Sequence, residues 1–372
     1  MSVIKLVIAF FMSITQLIAP YAQFLFHGGI DSFFEKWDES TAFTKEYAVE
    51  LAKDPDKDFV VVNLADVQLN DGTVYGDRGV FTEELVDDVI EEAKAKYGHV
   101  DLITLTGDNA SGDLTYLRWI KVIDSYNIPW APIMGNHDGH NGEKLNEAWD
   151  AYHLSKAKNC LFKFGPKDMG FGNYVINITE NGEIIHTLFM MDSHSEADDT
   201  DAGKINGDGY DHFWPAQLEW YKWCVNGIKT IAGKNVESTV MMHIPAYEYK
   251  TAREKMVADG TMLVVKNEAG ETNWVLKEEN EKQFGMLGED ICSPTASNGF
   301  FALAKRLSST TRMIAGHDHK NNLCINYEGI DLCYGLKSGK GSYYSEDMLG
   351  GSVLTVNSDG HSSFNHIYYD VK

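Results

Sequence analysis

The chain has 372 residues, with 32 Lys and Arg against 55 Asp and Glu, for a formal net charge of −23. A surface that acidic repels phosphate backbones and anionic lipid, so neither nucleic acid nor a membrane surface is an expected partner. Its hydrophobic content of 44% and charged content of 23% exclude a disordered tail, a collagen and a disulfide-dominated miniprotein.

In residues 1–22, MSVIKLVIAFFMSITQLIAPYA, Lys5 precedes an apolar run, and small residues Ala19 and Ala22 follow it. That is the layout of a cleaved secretory signal peptide. An uncleaved membrane anchor is the alternative, opposed by a short run broken at Ser13, Thr15 and Gln16. The expected mature protein is a single domain, 23–372, secreted or lumenal, and free of the membrane after cleavage.

Five apolar runs of strand length follow, each ending in polar residues. They are 59–64 before Asp66 and Gln68, 101–106 before Asp108, 131–134 before Asn136 and His137, 239–242 before His243, and 312–315 before His317 and His319. Apolar runs without alternation predict strands covered on both faces. Helical periodicity predicts helices over 82–97, stopped by Gly98, over 114–126 and over 216–231. Segments 173–178, 184–190 and 324–333 read as antiparallel. The expected class is therefore α/β, with two sheets packed as a β-sandwich flanked by helices.

Segment 324–333 reads as a hairpin turning at Glu328-Gly329, which sets Cys324 opposite Cys333 within disulfide range. Export predicts that the two are bonded, whereas a cytosolic location would leave buried thiols. Cys160, Cys224 and Cys292 have no predicted pairing. Asn177-Ile-Thr is a candidate glycosylation site, while Asn109-Ala-Ser is expected to be enclosed.

Asp66, Gln68, Asp108, Asn136, His243, His317 and His319 form an inventory of oxygen and nitrogen metal ligands without a thiolate. Residues i and i+2 of an extended segment point the same way, so Asp66/Gln68 and His317/His319 can each reach one centre. In this order the chain resembles the calcineurin-like metallophosphoesterases, whose pattern is D-x-H, GD, GNH[DE], a lone H and GHxH. The matching stretches here are Asp66-Val67-Gln68, Gly107-Asp108, Gly135-Asn136-His137-Asp138, His243 and Gly316-His317-Asp318-His319. Asn159-Cys160-Leu161-Phe162, Gly172-Asn173-Tyr174, Gln217-Leu218-Glu219-Trp220 and Leu332-Cys333-Tyr334-Gly335 narrow the resemblance. They are similar to the branch holding the fungal dosage-dependent cell-cycle-regulator phosphatase and the plant purple-acid-phosphatase-like proteins.

The resemblance implies two divalent ions, Mn, Fe or Zn. One would be held by Asp66, Gln68, Asp108 and His319, the other by Asp108, Asn136, His243 and His317, with Asp108 bridging. It further implies attack on a phosphomonoester, small-molecule or phosphoprotein, by a metal-bridging hydroxide. His137 would face the leaving oxygen, and the catalytic set would be His137, Asp108 and Asn136. Two ions and two carboxylates leave a local positive surplus that can attract phosphate into an acidic protein.

Two residues depart from the pattern. Gln68 replaces a His, which favours Mn, Mg or Fe over Zn at that position and resembles the manganese-dependent ADP-ribose/CDP-alcohol diphosphatases. Ser111 stands where true purple acid phosphatases carry an iron-binding Tyr, so no purple colour is expected. A phosphodiesterase or nucleotide diphosphatase, and a catalytically weak metal-stabilised binding protein, are the alternative functions. Loops 70–79, 141–148, 193–211 and 247–250 are the expected determinants of substrate choice. His140 and His194 read as exposed loop residues, and Trp214 and Tyr247 as core packing.

Overall fold

The computed structural model describes residues 30–70, 77–139, 144–195 and 209–369. The expected signal peptide, His140 and parts of three of the expected specificity loops lie outside the described residues.

In chain order the first strands are β1 (Val49–Ala52), β2 (Phe59–Leu64), β3 (Leu69–Asn70), β4 (Leu102–Thr106), β5 (Ala110–Ser111) and β6 (Trp130–Ile133). Next come β7 (Tyr174–Glu180), β8 (Glu183–Met190), β9 (Glu237–Met241), β10 (Met262–Lys266), β11 (Thr272–Leu276) and β12 (Met286–Leu287). The last are β13 (Thr310–Ala315), β14 (Cys324–Tyr327), β15 (Ile330–Tyr334), β16 (Gly350–Val356) and β17 (Ser362–Tyr368). The helices are α1 (Asp77–Tyr97), α2 (Asp113–Ser125), α3 (Lys144–Leu154), α4 (Pro215–Ala232), α5 (Tyr247–Asp259) and α6 (Phe300–Leu307).

Of the two larger sheets, one has the order β17-β16-β2-β4-β6 and the other β1-β7-β8-β9-β13-β15-β14, while β10-β11-β12 and β3-β5 form two small ones. Both larger sheets are mixed, but β2, β4 and β6 run parallel to one another, and so do β9 and β13. These five strands carry the polar ends noted above. Every residue of β2, β4 and β6 is buried, the outcome expected of apolar runs without alternation.

Two cores explain that coverage. One gathers side chains of both sheets with Leu85, Val89 and Ile90 of α1 and Trp119 and Ile123 of α2. The other lies on the far face of the seven-stranded sheet, where Trp220 and Tyr221 of α4, Tyr249 of α5 and Phe300 of α6 pack. Successive residues alternate between the two: Leu188 and Met190 of β8, and Ile314 of β13, join the first core. Phe189 and Met313 join the second, as the two-residue period of a strand requires. The fold is thus the expected two-sheet α/β sandwich with helices outside.

The expected helices form, with α1 beginning five residues earlier than Thr82. The 247–250 segment, read as a loop, is instead the first turn of α5. In β14–β15, Cys324 lies opposite Cys333 and the two are joined by a disulfide. Glu328 and Gly329 turn the hairpin with φ of 51° and 94°. Asn177-Ile-Thr is closed to a glycan in the folded chain, because Asn177 has no exposed surface within β7 and its Oδ1 accepts from Thr187 Oγ1 at 2.9 Å. Asn109 is buried too, as expected, and its Nδ2 donates to Ile133 O and Asp138 Oδ2. Cys160, Cys224 and Cys292 are free.

Candidate metal centre

The site is built where five parallel strands of two sheets end. Each chain must turn sharply there, and four non-glycine residues accept the left-handed region to do so: Asp66 (φ 51°), Gln68 (φ 46°), Asp108 (φ 49°) and His317 (φ 77°). Such conformations cost about 1–3 kcal/mol each and persist where surrounding structure over-determines them. Close packing does this here. A Cβ added to Gly135 would lie 2.3 Å from Asp108 Oδ1 and 2.9 Å from His243 Nε2, so only glycine lets the β6 turn approach the other strand ends.

His243 is the hub. Its Nδ1 meets the Thr106 carbonyl oxygen at 2.9 Å, which accepts a hydrogen bond and so leaves Nε2 as the nitrogen that faces the site. Around Nε2 lie Asn136 Oδ1 at 2.9 Å, Asp108 Oδ1 at 3.2 Å and His317 Nδ1 at 3.3 Å. One N–H proton cannot serve three acceptors. Three lone-pair donors about 3 Å from a fourth are the spacing that an ion with bonds of roughly 2.1 Å arranges around itself. The remaining ring nitrogen of His317, Nε2, is buried without a hydrogen-bond partner. Donor set and orphaned nitrogen together fit a divalent cation.

Beside this lies a second cluster. Asp66 accepts the His317 backbone N–H on both oxygens, at 3.1 and 2.9 Å. His319 Nε2 stands 3.5 Å from Asp66 Oδ1, while its Nδ1 meets the Tyr343 carbonyl at 2.9 Å. Asp66, Asp108 and His243 each offer a ligand atom within 4.8 Å of the others. Gln68 donates Nε2 to Asp108 Oδ2 at 2.8 Å, and its Oε1 accepts from Lys337 Nζ at 2.8 Å. All seven residues expected to hold metal therefore converge, with Gln68 joined to Asp108 and Lys337. His137 is exposed beside them and gives its backbone N–H to Asp108 Oδ1 at 2.9 Å.

Electrostatics explain why the carboxylates stay ionised. Burial opposes charge on Asp66 and Asp108, but His319 and His243 beside Asp66, and His243 and His137 beside Asp108, hold both below the usual carboxylate range. Burial also opposes charge on His243, yet the Asp108 and Asp66 carboxylates push it up to about 10. His317 is pulled down to about 3 by burial and by the His243 charge. Without an ion the cluster keeps a proton on His243, in the place where a cation would sit.

Sequence reading missed several supporting groups. Asp138 accepts backbone N–H groups from Asn109, Ala110 and Gly135, tying the β4 and β6 turns together, and burial with the Asp108 charge pushes it up to about 7. It is the last residue of the Gly135–Asp138 motif and could have been taken from it. Tyr210 meets the His317 ring edge-on at 4.3 Å, and Tyr343 lies against His319 at 4.2 Å. Lys337, buried among acceptors, has no sequence signal of its own. His194, expected on an exposed loop, stacks on Trp214 at 3.9 Å with Nε2 2.7 Å from Gln217 Oε1.

The chain is similar to several known proteins. "Probable inactive purple acid phosphatase 14" of Arabidopsis thaliana is 27% identical over 280 residues, covering 67% of this chain and 60% of its own length. "Phosphatase DCR2" of Saccharomyces cerevisiae is 27% identical over 295 residues, covering 74% of this chain and 45% of its own. The chain thus spans well under two thirds of the length of these relatives. A solved dimetal phosphatase from Danio rerio aligns with 85% of this chain and 100% of its own at 12% identity and a TM-score of 0.48. The family model for calcineurin-like phosphoesterases matches residues 59–263. That stretch is more than half of the sequence and holds the first four strand ends of the site, and it assigns the chain to the calcineurin-like phosphoesterase family.

Proposed function

We propose that this protein is a metal-dependent phosphatase that hydrolyses phosphomonoesters. The observation that carries the reading is the meeting of Asn136 Oδ1, Asp108 Oδ1 and His317 Nδ1 around His243 Nε2. Asn136, Asp108, His243 and His317 would hold one divalent ion and Asp66, Asp108 and His319 another, and such ions would supply Lewis acidity and lower the pKa of a bound water. The chain's own residues orient the rest. Asp66 and Asp108, buried and ionised, hold positive charge in a protein that otherwise repels phosphate. His137, exposed at the rim, is positioned to protonate the leaving oxygen. The Cys324–Cys333 disulfide supports an oxidising compartment and hence export.

The test compares metal-replete wild type and Asp108→Asn on para-nitrophenyl phosphate, its bis ester and ADP-ribose. The expected order is monoester first, with Asp108→Asn slower by at least about 10³-fold, the scale of losing electrostatic preorganisation. A faster rate on the bis ester or on ADP-ribose moves the reading to a diesterase or diphosphatase. Metal-loaded wild type that releases phosphate from no monoester overturns it.

The placement of Gln68 against Lys337 favours a second reading. In it the centre mainly stabilises a binding protein of weak catalysis, and the mark would be one ion per chain with no turnover.

A further inference from the structure

The segment after β15 passes directly beneath the Asp66 turn. Lys337 lies there, 2% exposed, and its Nζ donates to the Asp66 carbonyl oxygen and to Gln68 Oε1, both at 2.8 Å. An ammonium has only donors, so it can meet the amide of Gln68 only at its oxygen. The other end of that amide must then be NH2, and this end donates to Asp108 Oδ2 at 2.8 Å. The oxygen therefore faces Lys337 and the NH2 faces Asp108. The same segment also limits how far Gln68 can move: a Cβ on Gly341 would lie 1.8 Å from the Gln68 carbonyl oxygen and 2.9 Å from its Cβ.

Building on the metal-dependent reading above, we propose that Lys337 keeps the Gln68 amide oxygen off the ion. Gln68 then serves the centre through Asp108 instead of as a ligand. The two ion positions become unequal: a tight one with the four donors of Asp108, Asn136, His243 and His317, and a weak one with only Asp66, Asp108 and His319. Lys337 and Gln68 are positioning residues, and the order of metal loading follows from them.

The test is Mn²⁺ binding to the full chain, followed by titration calorimetry and by electron paramagnetic resonance of the free ion. Wild type is expected to show two classes of site differing by about tenfold or more. Losing a ligand weakens only the position it serves, whereas losing the orienting partner of the bridging Asp108 weakens both, typically by about 10–100-fold, so Gln68→Ala should weaken the two classes together. Lys337→Met should free the amide oxygen and tighten the weak class by about tenfold. In the Gln68→Ala background that gain should vanish, because the lysine acts through the glutamine. If Lys337→Met does not fold, the Gln68→Ala comparison decides alone.

Two equal sites in wild type, or a weakening by Gln68→Ala confined to the weak class, overturn the proposal while leaving the phosphoesterase reading intact. Equal tightening by Lys337→Met with and without Gln68 also overturns it, since the lysine would then act by charge alone. A wild type that binds no Mn²⁺ at either class overturns the proposal, and one that binds neither Zn²⁺ nor Fe²⁺ as well overturns the phosphoesterase reading with it.

Discussion

Individual atoms in this site are placed by backbone as much as by side chain. The His137 N–H that binds Asp108 Oδ1 survives truncation of the imidazole. His137→Ala should therefore keep its metal content while kcat on a monoester falls by about 10²–10⁴, the range for losing a general acid. Parallel loss of metal would show that the side chain helps build the site. Gly135 makes the opposite prediction. An added Cβ meets Asp108 N at 2.2 Å and Asp108 Oδ1 at 2.3 Å, so Gly135→Ala must push the β6 turn away from the other strand ends. Metal stoichiometry and phosphatase rate should fall together, and unchanged metal content would refute that account. Gln68 and Asn177 show the limit of reading single residues. Their chemistry was legible, but their partners, Lys337 and Thr187, were not.

At the scale of elements, the segments that the sequence marked best are those with a strong period. The unbroken apolar runs became β2, β4, β6, β9 and β13, and the 3.6-residue periodicity became α1, α2 and α4. Of the helices left unread, α5 is weakly patterned, with only Tyr249, Ala252 and Arg253 buried, whereas α6 buries Phe300, Phe301, Leu303 and Ala304 but has only eight residues, too few to establish a period. The β14–β15 hairpin was predicted from turn chemistry alone, and its register sets Cys324 opposite Cys333. With a sequence separation of 9, chain entropy gives the disulfide about 2–3 kcal/mol of stabilisation. The double variant Cys324→Ala/Cys333→Ala should lose roughly that amount in urea unfolding. An unchanged midpoint would mean that strand pairing alone defines the hairpin.

Across the whole molecule, two parallel strand sets in separate sheets end at one pocket, and the burial that this requires has a pH signature. His186 bonds Gly360 O and Thr239 Oγ1, and His366 bonds Ser352 Oγ and Asn322 O. Burial pulls both down to about 4, below the unfolded value near 6.5. The unfolded chain therefore binds protons first as pH falls. The stability these histidines contribute is complete above about pH 6.5 and is lost as pH drops toward 4. Between pH 7 and pH 5 the metal-free wild type should therefore lose on the order of 3 kcal/mol more unfolding free energy than a His186→Gln/His366→Gln variant, at up to about 1.4 kcal/mol per unit for each histidine. The same pH dependence in variant and wild type would contradict this.

The order of the motifs, the strand and helix runs around them and the cysteine register follow from local rules: side-chain period, turn propensity and the offset between residues two apart. These act over a few positions, so the sequence determined them by itself. Tertiary structure alone decided that Lys337 would be buried against Gln68, 269 positions earlier. It also decided that Asn177 would face a packed sheet and that Tyr210 and Tyr343 would flank the site histidines. Those outcomes depend on how two sheets pack. A lysine's sequence neighbours carry no record of whether its ammonium will meet water or a carbonyl.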